Sequence, residues 1–156
     1  MSDKNGLGTV MKNFLIIAAA IIVIRLVLEF SGAPGWLNTV FGVAWLYFIV
    51  PVFFAREIVA SGDATPMKTL AVSLFFYALY TRLMVAVTYM MAYAFSWQTP
   101  RFLLENGGNV GDGVTPLDGY LIIPARNILV WVVAAVLIGM LIGWVTTLIA
   151  GKKQTA

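Results

Sequence analysis

Residues 14–30 read FLIIAAAIIVIRLVLEF, an apolar run interrupted only by Arg25 and Glu29. A helix needs about 20 such residues to cross the hydrocarbon of a bilayer, and in lipid the backbone must satisfy its own polar groups, which a helix does within one segment. The run is therefore a span, but a short one. A central arginine costs roughly 2.5–3.5 kcal/mol on insertion scales, and the uninterrupted part, Phe14 to Ile24, is no longer than the apolar region of a signal peptide. Cleavage after Ala33 would set Pro34 beside the scissile bond, so the segment is expected to stay as an anchor.

The rest of the chain has the same character. It is 61% hydrophobic and 11% charged, with a mean hydropathy of +0.91, whereas soluble domains run about 45–50% apolar and about 25% charged. The 156 residues suffice for one membrane domain and leave no length for a soluble catalytic one. Histidine and cysteine are absent, which removes the usual haem, zinc, copper and iron–sulfur ligands and the commonest general base and thiol nucleophile. No metal, no cofactor and no enzymatic activity are expected. The net charge of +3 does not point to nucleic acid, because the basic residues gather at membrane borders.

Breakers divide the chain into four spans, at about 13–31, 36–60, 67–96 and 121–150, with a longer connection at about 97–120. Gly32-Ala33-Pro34-Gly35 makes a tight turn, and Pro51 inside the second span predicts a kink. Thr65-Pro66 reads as an N-cap and first helical position. The third span is about 43 Å long as a helix, enough to tilt or project. Thr115-Pro116-Leu117-Asp118 has the form of a second cap, and Gly151-Lys152-Lys153 stops the last span. The fold class predicted is all-α, a four-helix membrane bundle of two helical hairpins.

Lys4, Lys12, Arg56, Lys68, Lys152 and Lys153 fall on the side of the termini, against Arg101 and the border residue Arg126 on the other. The positive-inside rule then puts both termini in the cytoplasm and argues against dual-topology insertion. The expected location is a cytoplasmic membrane of bacterial type.

Counted from the ends on that side, Arg25 and Arg82 both lie about 18–20 Å into their helices. Glu29 is one turn beyond Arg25 on the same face. Arg126 and Asn127 begin the fourth span and close the zone from above. Intramembrane ionisable residues usually face the bundle interior and pair, so one reading has Arg25 and Arg82 converge on Glu29 as a structural clamp. The other has the surplus positive charge bind an anion, a lipid headgroup or an acidic side chain of another subunit, since the guanidinium fork suits carboxylate and phosphate. Tyr77, Tyr80, Thr81, Thr88, Tyr89 and Tyr93 on the third span are candidates to complete such a site.

Ala135, Gly139 and Gly143 recur every four residues on the fourth span and form a helix-packing seam, within the chain or toward a partner. Trp131 and Trp144 read as apolar bulk. Gly107–Gly113 is a single glycine-rich copy without the repeats of a calcium turn and is read as a flexible connector. Three functions remain: a non-catalytic accessory or structural subunit associated with lipids and with other membrane subunits or copies of itself, a small oligomeric transporter or channel for an anionic or amphipathic solute, and a lipid-modifying enzyme. They are ranked in that order.

Overall fold

A computed structural model describes residues 6–152, and they are helical without a strand among them. Helix α1 is Gly6–Phe30, α2 Gly35–Val40, α3 Leu46–Ala60, α4 Pro66–Ala94 and α5 Ile123–Lys152. Four stretches are long and apolar enough to cross a membrane: Gly6–Phe30, Gly35–Ala60, Pro66–Ala94 and Asp118–Gly151. Lys4 and Lys153, which enter the charge bias, lie outside the described residues.

Helix α1 begins well before its apolar run, because helical hydrogen bonding propagates past the hydrocarbon boundary once nucleated. Helix α4 is the hub. It meets α1, α3 and, most extensively, α5, and its inward face buries Leu70, Leu74, Tyr77, Ala78, Val85 and Tyr89. The small-residue seam of α5 is used here. A Cβ added at Gly139 would lie 2.9 Å from Leu74 Cδ1 and 3.2 Å from Pro51 Cγ, and one added at Gly143 would collide with Leu70. Ala135 is buried on the same helix. The seam thus brings α5 against α3 and α4 of its own chain.

The second apolar stretch is broken, and at a different place from the one its proline suggests. Pro51 sits inside α3, while the helix stops after Val40 and resumes through the 3-10 turn Val43–Trp45. Gly42, the poorest helix former there, is extended at φ −82° and ψ 124°. The Thr39 carbonyl, released from the helical ladder, accepts from Gly42 N at 3.1 Å and from Trp45 Nε1 at 3.0 Å. A Cβ on Gly42 would stand 3.0 Å from that same oxygen.

At the start of α4 Thr65 takes the N-cap position ahead of Pro66, as expected, but the side-chain bonds there come from Asp63. Asp63 Oδ1 accepts from Thr65 N at 2.6 Å and Oδ2 from Thr69 Oγ1 at 2.6 Å, whereas Thr65 makes no capping bond with its side chain. Thr69, with help from the Thr65 backbone, holds the Asp63 carboxyl below its ordinary pKa. At the start of the last helix, Thr115 and Asp118 do form a reciprocal cap: Thr115 Oγ1 donates to Asp118 Oδ2 at 2.5 Å and accepts from Asp118 N at 3.2 Å.

The connection between α4 and α5 is not a flexible linker. Gly108 N donates to Leu103 O, Val110 N to Phe102 O and Leu104 N to Val110 O, all within 2.9 Å, so the glycine-rich segment folds back on the turn Pro100–Phe102. Asn109 is fully buried. Its Nδ2 donates to Tyr89 O of α4 and to Gly119 O, each at 2.8 Å. Gly119 lies in the π turn Asp118–Ile122, where Ile123 N reaches back to Asp118 O. The next bond of that pattern would come from residue 124, a proline with no N–H. Asn109 supplies the donor that Pro124 lacks.

Candidate functional site

The charged residues of the first span pair locally. Arg25 Nε donates to Glu29 Oε1 at 3.1 Å, as stacking of residues four apart allows. Glu29 has a side chain only 3% exposed, and its second oxygen, Oε2, meets Arg101 Nη2 at 3.2 Å. The second cation on Glu29 therefore comes from the folded connection and not from Arg82. Arg101 is carried by the turn Pro100–Phe102, with its guanidinium 4.3 Å above the Phe102 ring. Its contact with Glu29 meets ion-pair distance without hydrogen-bond alignment, and Arg101 Nε and Nη2 are buried with no acceptor among the described residues. Burial pushes the Arg101 pKa down from its ordinary value, with Glu29 opposing and Arg25 reinforcing the shift.

Arg82 is more deeply placed, at 5% exposure. Its Nε donates to the Tyr47 hydroxyl at 2.7 Å, and its guanidinium carbon lies 4.5 Å from the Trp131 ring centre and 5.1 Å from that of Tyr47. Tyr47 is itself held edge-on by Tyr77, which is wedged against Phe54. Aromatic faces stabilise a desolvated cation by roughly 2 kcal/mol or more, so Arg82 is kept in place by neutral groups. No carboxylate lies within ion-pair distance of it among the described residues.

Arg25, Arg82 and Arg101 line one cavity of about 370 Å³, together with Thr39, Gly42, Tyr89, Asn127 and Trp131. A second cavity, of about 540 Å³, adjoins it through Arg25, Thr39, Tyr89 and Arg101, and is bounded by Glu29, Asn38 and the turn residues Gly32, Ala33 and Gly35. Among the described residues Glu29 is the one acidic residue lining either, so three cations face one anion. The break at Gly42 forms part of this wall. A continuous helix there would lack the exposed turn that carries Thr39, Gly42 and Trp45 to the cavity.

The residues singled out in the sequence divide accordingly. Arg25, Glu29, Arg82 and Asn127 line these cavities, but Arg126 is exposed and lines neither. It lies one position from Asn127, about 100° around the helix, and so points elsewhere. Of the polar residues on α4, Tyr89 reaches both cavities, whereas Tyr80 is exposed beside Phe76, Thr88 bonds the Val85 carbonyl and Tyr93 bonds Val114 O. Arg101, Tyr47 and Trp131 are the contributors that sequence reading missed as site residues. Their sequence signal is no more than a loop cation and two aromatics in apolar runs.

The arrangement can hold an anion. Guanidinium groups from two membrane helices and one connection converge, each with N–H groups that no hydrogen bond among the described residues uses, in a partly desolvated chamber where charge interactions are stronger than in water. Among the described residues no group of three or more acidic residues is placed to hold a metal ion. Comparison with protein-family models, curated proteins and solved structures found no match.

Proposed function

We propose that this chain is a non-catalytic integral membrane protein that binds an anionic solute, carboxylate or phosphate, in the chamber formed by Arg25, Arg82 and Arg101. The observation that carries the reading is the charge imbalance: among the described residues, three guanidinium groups share one chamber and its neighbour with the single carboxylate of Glu29. A purely structural clamp needs each buried charge to be paired, because an unpaired one is strongly destabilising. Among the described residues Arg82 has only a phenol and two aromatic faces.

The bundle is taken to be two hairpins with both termini on the cytoplasmic side of a bacterial inner membrane, which sets the chamber in the outer half. The solute then reaches it from the extracytoplasmic side through the larger cavity. Assembly with other membrane subunits or with copies of this chain completes a path if the solute is carried across. Internal use of Ala135, Gly139 and Gly143 favours this binding reading over a purely accessory role, since the seam is not free to dock a partner.

Trp131 and Trp45 line the chamber and report on it. Titrating detergent-solubilised protein with inorganic phosphate and with acetate should give a saturable change in tryptophan fluorescence. Arg82→Gln should weaken it at least tenfold while leaving the folded protein monodisperse. A wild-type protein with no saturable response to either anion, or a folded Arg82→Gln protein that responds like the wild type, would overturn the proposal.

A further inference from the structure

The chamber has a neighbour that is wholly apolar. A recess of about 230 Å³ runs between the start of α3 and the middle of α5, walled by Tyr47 and Phe48 on one side and by Ala134 and Ile138 on the other. Ala44, Trp45 and Trp131 line both the recess and the cationic chamber. The small side chains of Ala44, Ala134 and Ala135 leave the space, and the indole of Trp131 forms the boundary, with the Arg82 guanidinium over its face. One continuous surface therefore changes from guanidinium to hydrocarbon across a single ring.

A small inorganic anion uses only half of such a surface. We infer that the ligand is an anionic amphiphile, with its phosphate or carboxylate headgroup among Arg25, Arg82 and Arg101 and its hydrocarbon chain along the recess between α3 and α5. This rests on the anion-binding reading above and names the ligand class for the same site. The position of the boundary fits the membrane setting: Trp131 is on a spanning helix and half-exposed, so the recess lies at a depth where an acyl or alkyl chain already resides. Headgroup and chain can then come from a membrane lipid or from a free single-chain amphiphile, two sources of the same chemistry.

Two arms separate the sources. In detergent, inorganic phosphate, butyl phosphate and octyl phosphate are titrated by tryptophan fluorescence against free aqueous concentration. In nanodiscs of phosphatidylcholine, a small fraction of phosphatidic acid is tested as a competitor of octyl phosphate. The expected result is roughly three- to fourfold tighter binding per added methylene, the gain from moving a methylene out of water. Ala134→Leu, which fills the recess, should remove most of that dependence and leave inorganic phosphate binding unchanged. Ile138→Trp, which fills the recess from a position that does not line the cationic chamber, should do the same if the first variant fails to fold. Competition by phosphatidic acid identifies a lipid, and its absence together with tight octyl phosphate binding identifies a free amphiphile. Either supports the inference. Inorganic phosphate binding with no chain dependence overturns it while the anion site stands, and no binding by any of the three compounds overturns both.

Discussion

Asn109→Ala isolates the connection that delivers Arg101. The side chain is fully buried and spends both amide hydrogens on backbone carbonyls, Tyr89 O and Gly119 O, each at 2.8 Å. Each bond is worth about 0.5–1.5 kcal/mol net, and the Gly119 carbonyl, which Pro124 cannot serve, is left without a donor while Tyr89 O keeps its place in the α4 ladder, so the loss is about 2–3 kcal/mol. Its effect is local first. Residue 110, next in the chain, exchanges backbone bonds with Phe102 and Leu104, so releasing Asn109 loosens the turn holding Arg101. At about 1.4 kcal/mol per tenfold, the open form of this connection should rise roughly 30- to 150-fold. Trypsin cleavage after Arg101 measures that population when opening and closing are fast relative to cleavage, with the helical Arg126 as internal comparison. Anion binding should weaken in parallel. Wild-type cleavage at Arg101 in a folded Asn109→Ala protein would refute the claim that these two bonds seat the connection.

Three further outcomes follow from the same geometry. Arg101→Gln should weaken phosphate binding roughly 10- to 150-fold, the equivalent of losing a charge-assisted bond of about 1.5–3 kcal/mol, whereas Arg126→Gln should stay within about twofold; fluorescence titration distinguishes them. Gly139→Leu should overpack the contact with Leu74 and Pro51 and cost about 1–3 kcal/mol or more, seen as a lowered Tm without a change in phosphate affinity of the folded fraction. The Asp63 carboxyl is held below its ordinary pKa of 3.8 by Thr69 and the Thr65 backbone, so the stability it contributes is present above that value and lost as pH falls through the lower, folded one. Wild type and Asp63→Ala should therefore differ in thermal unfolding at neutral pH and converge in acid, and a difference that grows on acidification would contradict a stabilising role for the Asp63 bonds to Thr65 and Thr69.

The legible part of the site was the part built from neighbours in sequence. Arg25 and Glu29 are four apart on one helix, so their pairing follows from helical geometry. Similar depth for Arg25 and Arg82 follows from counting, but what Arg82 touches does not. Its partner Tyr47 is 35 residues away on a helix whose start depends on the break at Gly42, and a one-residue change in that break rotates the helix by about 100°. Pro51 drew attention as the breaker, yet a proline embedded among packed helices is tolerated, and the glycine beside the Thr39 carbonyl stopped the helix instead.

Four apolar helices were determined by the sequence alone, because length and hydrophobicity act locally and lipid admits few backbone solutions. The composition of the chamber was decided by tertiary structure. Arg101 reads as one more loop cation until Asn109 bonds two helices and folds the connection inward, and Trp131 reads as bulk until Arg82 lies across it. The physical reason is range. Hydrogen bonds to backbone carbonyls and ring-to-guanidinium contacts join residues 10 to 49 positions apart, and neither leaves a periodic trace in the chain that makes it.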